Sequence, residues 1–433
     1  MKRTVVVAIA TLGISGLLHS QTGAPQLCLT DAQALALKNH PQVLASQATY
    51  LQADQITRAT RSAYYPTLSG DVTGAEANLN SRLGAGVLND PALFSHFGTG
   101  LSLSQLITDS GRTGNLVSHA KLQAQASQAN YRATRFDVLL GVNQAYYEVL
   151  FAEQLVKVAE QTVATRQAVV DQVSELTRSK LKSEVDLSFA QVNLSDAKLM
   201  QLRAQDRLSS AYAALGQALG SQQSVRYRLS DQPMPSEPPE DAEPLVAQAF
   251  QNRPELASLR LQREADQKFV HAERDLNRPT VSLVAVGGAL PYIHSGNANA
   301  NIPGEYGAAA VNVHIPVFNG HLFSARRQAA EYQLSATEQR VRGLEDRVAR
   351  DVRTSWERAR TSFEAIGATQ QLLTQANLAL DLAQGRYNLG LSSIVELTQA
   401  QLGQTSAEVE NLNAKYEYQE AYAALQYTLG LLH

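Results

Sequence analysis

The chain is written twice, and that duplication limits what its 433 residues can fold into more than any other feature. Asn39-His40-Pro41 returns as Asn252-Arg253-Pro254, an offset of 254 − 41 = 213, and Pro66-Thr67 returns at the same offset as Pro279-Thr280. Further on the offset shortens to 210. Leu181-Lys182-Ser183-Glu184-Val185-Asp186-Leu187 aligns with Leu391-Ser392-Ser393-Ile394-Val395-Glu396-Leu397, and Ala211-Tyr212-Ala213-Ala214-Leu215 repeats letter for letter as Ala421-Tyr422-Ala423-Ala424-Leu425. An ordered series of matches marks a repeated structural unit rather than coincidence. Between the halves, Asp231 to Pro244 carries five prolines among acidic residues, which reads as a stiff, helix-free linker. The division that follows is a leader over 1–20, a first repeat over 21–220, a linker region over 221–244 and a second repeat over 245–433.

Each half predicts the same plan: a helix, two strands, a very long helix, a tight break and a further long helix. Proline is absent from Ala92 to Gln232 and from Val317 to the end, so nothing there interrupts a helix. Leu122, Ala126, Ala129, Ala133, Phe136, Leu140, Asn143, Tyr147 and Leu150 alternate steps of four and three, and the same heptad seam runs from Leu187 to Ala218 and from Leu397 to Leu425. That period predicts left-handed coiled packing, and its alanines let helix axes approach closely. From Gly111 to the break near Lys180 the helix would be roughly 100 Å long at about 1.5 Å per residue. The helices alone leave open a coiled-coil rod or the wall of a tube.

Strand signals lie between the helices of each half. Leu68, Gly70, Val72 and Gly74 alternate with Ser69, Asp71 and Thr73; Leu101 and Leu103 alternate with Ser102 and Ser104; Val311, Val313 and Ile315 alternate with Asn312 and His314. A run from Val281 through Leu283 and Ala285 is less clean, because Val284 and Val286 blur its polar face. Asn78 to His96 and Pro291 to Gly304 are expected to join these strands as hairpins. Four strands are too few to close a barrel, since membrane-spanning sheets tolerate no free edge and single-chain barrels begin at about eight. Three copies would supply twelve; a small soluble sheet capping a rod is the other reading.

The amino terminus looks like a secretory leader: Lys2 and Arg3, an apolar run from Val5 to Leu18, then an exit near Ser20. Cys28 is the lone cysteine, and Pro25-Gln26-Leu27 before it lacks the small residues of a lipidation site, so it reads as incidental, near a disordered mature start. A formal net charge of −3 argues against nucleic acid or an anionic membrane surface as partner. No paired histidines with an intervening glutamate, phosphate loop, dinucleotide fingerprint or nucleophile elbow occurs, so no enzyme, metal or cofactor is expected.

Taken in order, Asn39-His40-Pro41, Tyr65-Pro66, Pro316-Val317-Phe318-Asn319-Gly320 and Arg386-Tyr387-Asn388-Leu389-Gly390-Leu391 through Leu397 resemble the TolC family of outer-membrane efflux and secretion proteins, from about Leu29 to Gly430. The resemblance implies a mainly α, α+β fold: a coiled-coil α-helical barrel continued by a β-barrel shared between three protomers, four strands each. It implies a homotrimer in outer-membrane lipid, extending into the periplasm. There it would meet an adaptor protein and an inner-membrane transporter, for small-molecule efflux or protein secretion. The alternative is a secreted coiled-coil interaction protein with no pore.

The breaks at Ser179 to Asp186 and Asn388 to Glu396 then form the periplasmic tip. Lys180, Leu181, Gly390 and Leu391 are the expected adaptor-docking residues. Asp186 matches the family's gate carboxylate and Tyr387 the tyrosine whose hydroxyl bonds it. The family's arginine falls at Ser392, so an ion pair there is expected to be missing. Its inward acidic pair falls at Glu396 and Gln399, which leaves one carboxylate per chain and a ring of three in a trimer. Phe94, Phe97, Tyr292, Tyr306 and Phe318 are candidates for an interfacial aromatic girdle, and Tyr64 and Tyr65 for packing where helix turns into strand.

Overall fold

A computed structural model describes residues 25–76, 95–221, 226–294 and 304–432; the leader, Phe94 and most of both loops between paired strands lie outside them. The duplication is metrical. The first half contains α1 (Leu29–Asn39), α2 (Pro41–Arg61), β2 (Thr67–Ala75), β3 (Ser95–Thr108), α3 (Arg112–Arg178) and α4 (Glu184–Ala218). The second contains α5 (Glu243–Asn252), α6 (Pro254–Arg274), β5 (Thr280–His294), β6 (Glu305–His314), α7 (Leu322–Asn388) and α8 (Ile394–Thr428). Helices α3 and α7 each have 67 residues, α4 and α8 each have 35, and α2 and α6 each have 21. Sixty-seven residues give roughly 100 Å of helix.

Proline opens α2 and α6 at the first helical position, where its missing N–H costs nothing. The expected seam is the packed one: Ala126, Ala129, Ala133, Asn143, Tyr147 and Leu150 on α3, and Ala190, Leu194, Ala197, Ala204, Ala211 and Leu215 on α4, are buried. Helices α3 and α4 form one hairpin and α7 and α8 the other, with α3 also packed on α8.

The Asn-x-Pro repeats owe their place to a close approach that local sequence does not announce. Helix α4 ends where α2 begins, at Gly220 (φ +69°), whose missing Cβ would lie 2.8 Å from His40 Cα and 2.9 Å from the Asn39 carbonyl. Helix α8 ends against α6 in the same way, at Gly430 (φ +70°), with Asn252 O at 2.8 Å from the same hypothetical atom. Each short helix thereby starts where a long one ends; α2 packs along α3, and α6 packs along both α3 and α7.

A two-stranded parallel ladder, β1 (Gln26–Leu27) with β4 (Arg228–Leu229), ties the start of the chain to the linker region. Tyr146 on α3 clamps it: the hydroxyl donates to Ser230 O (2.7 Å), accepts from Ser230 N (3.1 Å) and lies 3.0 Å from Leu27 O. Cys28 is accordingly not in a disordered start. It precedes α1 directly, its Sγ 2.9 Å from Asp31 Oδ2.

The other sheet is antiparallel in the order β2-β3-β5-β6. Strands β3 and β5 run 14 and 15 residues, into the stretches expected to be loop, because each pairs on both edges along most of its length. The register sorts the faces. Leu68, Leu103, Ala285 and Ala309 form one cross-strand row, and the next row is Ser69, Ser102, Val286 and Ala308, with the two serine hydroxyls 2.6 Å apart. Val284 and Val286 thus fall on the face whose β2 and β3 members are polar. No described residue covers either face: Leu68, Val72, Leu101, Val311 and Val313 are exposed on one, and Val284 and Val286 on the other. Tyr64 and Tyr65, expected to pack at the helix-to-strand junction, are also exposed in the protomer.

Candidate functional site at the helical tip

At the end farthest from the sheet, two five-residue turns, 179–183 and 389–393, reverse the chain between the long helices. Both are built alike. In the first, Leu181 N–H returns to Leu176 O (2.8 Å) and Lys180 N–H to Thr177 O (3.0 Å); in the second, Leu391 N–H returns to Arg386 O (2.8 Å) and Gly390 N–H to Tyr387 O (3.0 Å). This double closure satisfies helix-end carbonyls and needs one left-handed residue, which is Gly390 (φ +73°) in one repeat and Lys180 (φ +60°) in the other. The next helix then starts on a serine cap. Ser183 Oγ accepts from Asp186 N (3.2 Å), while the Asp186 carboxylate accepts from Ser183 N (3.1 Å) and Oγ (3.0 Å). Ser393 Oγ accepts from Glu396 N at 3.4 Å.

That cap alters the expected gate. Asp186 is spent on its own helix, and the Tyr387 hydroxyl is buried without any hydrogen-bond partner among the described residues. The expected bond between Tyr387 and Asp186 is not made. Instead the Tyr387 ring packs with Val169, Val173, Ala190, Ile394 and Leu397, and the Lys182 ammonium lies 4.4 Å from its centroid. Burial, and after it the nearby Asp186 charge, push the Tyr387 phenol above its ordinary range, so it stays neutral.

Glu396, the one carboxylate left of the expected acidic pair, has a cation beside it. Arg386, on the last turn of α7, reaches it at 3.2 Å, supplying a cation six residues before the serine that takes the family arginine's place. Both side chains are about half exposed, which leaves this pair solvent-screened. Gln399 is exposed one turn further along α8.

Two of the fastenings between the hairpins near the tip are neutral amides and hydroxyls. Gln172 Nε2 donates to Asn388 Oδ1 (3.3 Å), and Asn193 Nδ2 donates to Thr398 Oγ1 (2.9 Å). Lys180, Leu181, Gly390 and Leu391 all sit on the outermost turns, where Leu181 is 70% and Leu391 67% exposed. Three residues not singled out in the sequence join them: Leu389, 75% exposed, and Val185 and Val395 at matched repeat positions. Their signal was present as an apolar Leu389 in a turn that should be polar and as exposed valines in the first turn of each following helix. The result is an apolar tip in a protomer with no described helix long and apolar enough to cross a membrane.

Comparison with known proteins places this geometry. The chain is 25% identical over 404 residues to the outer membrane protein TolC of Vibrio cholerae serotype O1, covering 92% of this chain and 89% of that protein. It is 24% identical over 430 residues to the outer membrane efflux protein BepC of Brucella suis biovar 1, covering 98% and 90%. The crystal structure of the outer membrane protein VceC from Vibrio cholerae superposes with a TM-score of 0.81 at 17% identity, covering 93% of this chain and 96% of that one. The family model described as outer membrane efflux protein matches residues 33–221 and 245–431, one match for each repeat. With both halves matched and outer-membrane relatives aligned along almost the whole chain, the chain belongs to the outer membrane efflux protein family, conduits rather than enzymes.

Proposed function

We propose that three copies of this chain close into one exit duct, a β-barrel in the outer membrane continued by a helical tunnel whose tip is opened by a periplasmic adaptor serving an inner-membrane transporter. The observation that carries this reading is the β2-β3-β5-β6 sheet, whose β2 and β6 pair with no further described strand along their outer edges and whose apolar side chains are exposed on one face. Unpaired backbone groups cannot sit in hydrocarbon, so an outer-membrane protein of this build pairs β6 of one copy with β2 of the next. Exposed apolar residues on the long helices support the same assembly: Phe189, Val192, Leu199 and Leu202 on α4, and Leu372, Leu378 and Leu382 on α7. Trimers working with adaptor and pump partners are the rule for the TolC-type members of this family.

The tip supplies the adaptor surface. Leu181, Val185, Leu391 and Val395, with Lys180 and Gly390 shaping the turns, present the same apolar motif twice per chain and six times per trimer. Closure rests on the apolar cluster around Tyr387 and the amide fastenings above it, not on a Tyr387–Asp186 bond. At the constriction the Arg386 partner dilutes the negative ring that Glu396 would otherwise form.

Single-channel recording of the purified, detergent-extracted protein in a planar bilayer tests the duct. Discrete steps are expected, with cation selectivity that rises in Arg386→Gln and falls in Glu396→Gln. A verified reconstitution without steps, in both native protein and tip variants, would return the chain to the reading of a coiled-coil interaction protein. Leu181→Asp with Leu391→Asp is expected to keep the conductance and lose adaptor capture, which separates docking from pore formation.

A further inference from the structure

Above the tip, α3 buries a positive charge that no described residue neutralises. Arg166 lies twelve residues before Arg178, the last residue of α3, roughly 18 Å along the axis, and is only 4% exposed. No carboxylate of the described residues forms an ion pair with it. Its Nη1 donates to Oε1 of Gln401 on α8, itself 3% exposed. That bond fixes the orientation of the amide, because the reverse placement would set two donors against each other. The Gln401 Nε2 that results is buried with no acceptor. A buried amide N–H with no acceptor, beside a buried cation with no paired carboxylate among the described residues, is costly in an interior of low polarity.

Both line a cavity of 160 Å³ between α3, α8 and Leu380 of α7. The acid on its wall, Glu408, does not answer Arg166: it accepts from Gln404 Nε2 at 3.0 Å and stands two helical turns beyond Gln401. Burial alone pushes the guanidinium down to about 10, with no nearby carboxylate to hold it up, so it remains charged at neutral pH. The space exceeds what one water needs.

We propose that this cavity binds a small monovalent anion of the chloride class, held between the Arg166 guanidinium and the Gln401 amide, and that the bound anion ties α3 to α8 above the tip. The cavity is lined by a desolvated cation and by a residue whose amide N–H lacks an acceptor, which suits a single negative charge with a small shell. Chloride would thereby strengthen the packing of one hairpin on the other without touching the turns themselves.

The test uses the full-length assembly in detergent. Thermal melting is followed as sodium chloride replaces sodium gluconate at constant ionic strength, and crystals are grown with bromide for anomalous diffraction. A saturable rise in melting temperature is expected for the native chain, together with an anomalous peak between Arg166 and Gln401. Arg166→Gln is expected to abolish the chloride dependence. Gln401→Leu is expected to raise the half-saturating chloride concentration about tenfold, the loss of one hydrogen bond to a charged partner. Identical melting in both salts overturns the proposal. So does a bromide peak seen only at molar concentration, an adventitious ion only, or a neighbouring copy's carboxylate occupying the cavity. If Arg166→Gln fails to assemble, Gln401→Leu and the native bromide data still decide.

Discussion

Replacing Gly220 by alanine probes the joint on which the whole helical half depends. At φ +69° an alanine pays about 1–2 kcal/mol for the left-handed backbone. Its Cβ would also stand 2.8 Å from His40 Cα and 2.9 Å from Asn39 C and O, and these are backbone atoms that cannot swing aside. Overpacking of that kind costs about 1–3 kcal/mol. Loss of glycine's freedom in the unfolded chain returns only about 0.4–1 kcal/mol. The net expectation is about 3 kcal/mol, roughly a hundredfold in the opening equilibrium of the joint. Four residues earlier, Gly216 lies inside α4 with nothing within 4 Å of its hypothetical Cβ, so Gly216→Ala should stabilise by about 0.5–1 kcal/mol. Native-state hydrogen exchange is the assay. The His40 amide, bonded to Ala36 O at 2.8 Å, and the Leu44 amide, bonded to His40 O at 3.2 Å, report the joint directly. Both should exchange about a hundredfold faster in Gly220→Ala and no faster in Gly216→Ala. Equal exchange in the two variants would refute the argument that the Asn-x-Pro junction exists to receive this glycine. Gly430→Ala, against Asn252 and Arg253, should repeat the result in the second half.

Arg326 grips the Glu273 carboxylate with two bonds of 2.7 and 2.9 Å, and Glu273 is 1% exposed, so Arg326→Met strands a buried charge. A loss of about 3 kcal/mol is expected in denaturant titration, largely recovered in the double variant with Glu273→Gln. Tyr146→Phe leaves the Ser230 amide and the β1–β4 ladder without their shared hydroxyl and should cost about 1–3 kcal/mol, seen as proteolytic release of the segment before α1. Burial, reinforced by Glu148 and Glu417 against the weaker pull of Arg358 and Arg207, raises the Glu420 carboxyl from 4.5 to about 7. A raised carboxyl pKa means that ionisation costs more in the folded state, so stability falls as pH climbs from 4.5 to about 7 and is level above that. Glu420→Gln should therefore melt higher than the native protein above pH 7, with the gain fading as pH approaches 4.5.

Much of the architecture was legible along the chain because it rests on local backbone geometry. A seam stepping by four and three with no proline permits only long packed helices, and period-two alternation at Leu68 to Gly74 and Val311 to Val313 permits only strands. The left-handed Gly390 and Lys180 occupy the same place in the two repeats, since a helix that reverses in five residues ends on such a residue.

Choice of partner was a different matter. Whether Asp186 faces Tyr387 or closes its own helix is a competition between a contact across 201 residues and one across three, and the local cap wins it. Arg386 sits ten residues from Glu396 along the chain, yet only the reversal of α7 into α8 brings the two together. The lengths of β3 and β5, the abutment of Gly220 on Asn39 and His40, and the burial of Arg166 beside Gln401 likewise depend on surfaces meeting across about 180 to 235 positions. Sequence by itself determined the repeat, the helices and the turns, because each is satisfied within a few residues. Only the tertiary structure decided which polar groups are spent on caps, which are paired across hairpins and which are left buried with nothing to receive them, because those outcomes are set by what packing leaves available.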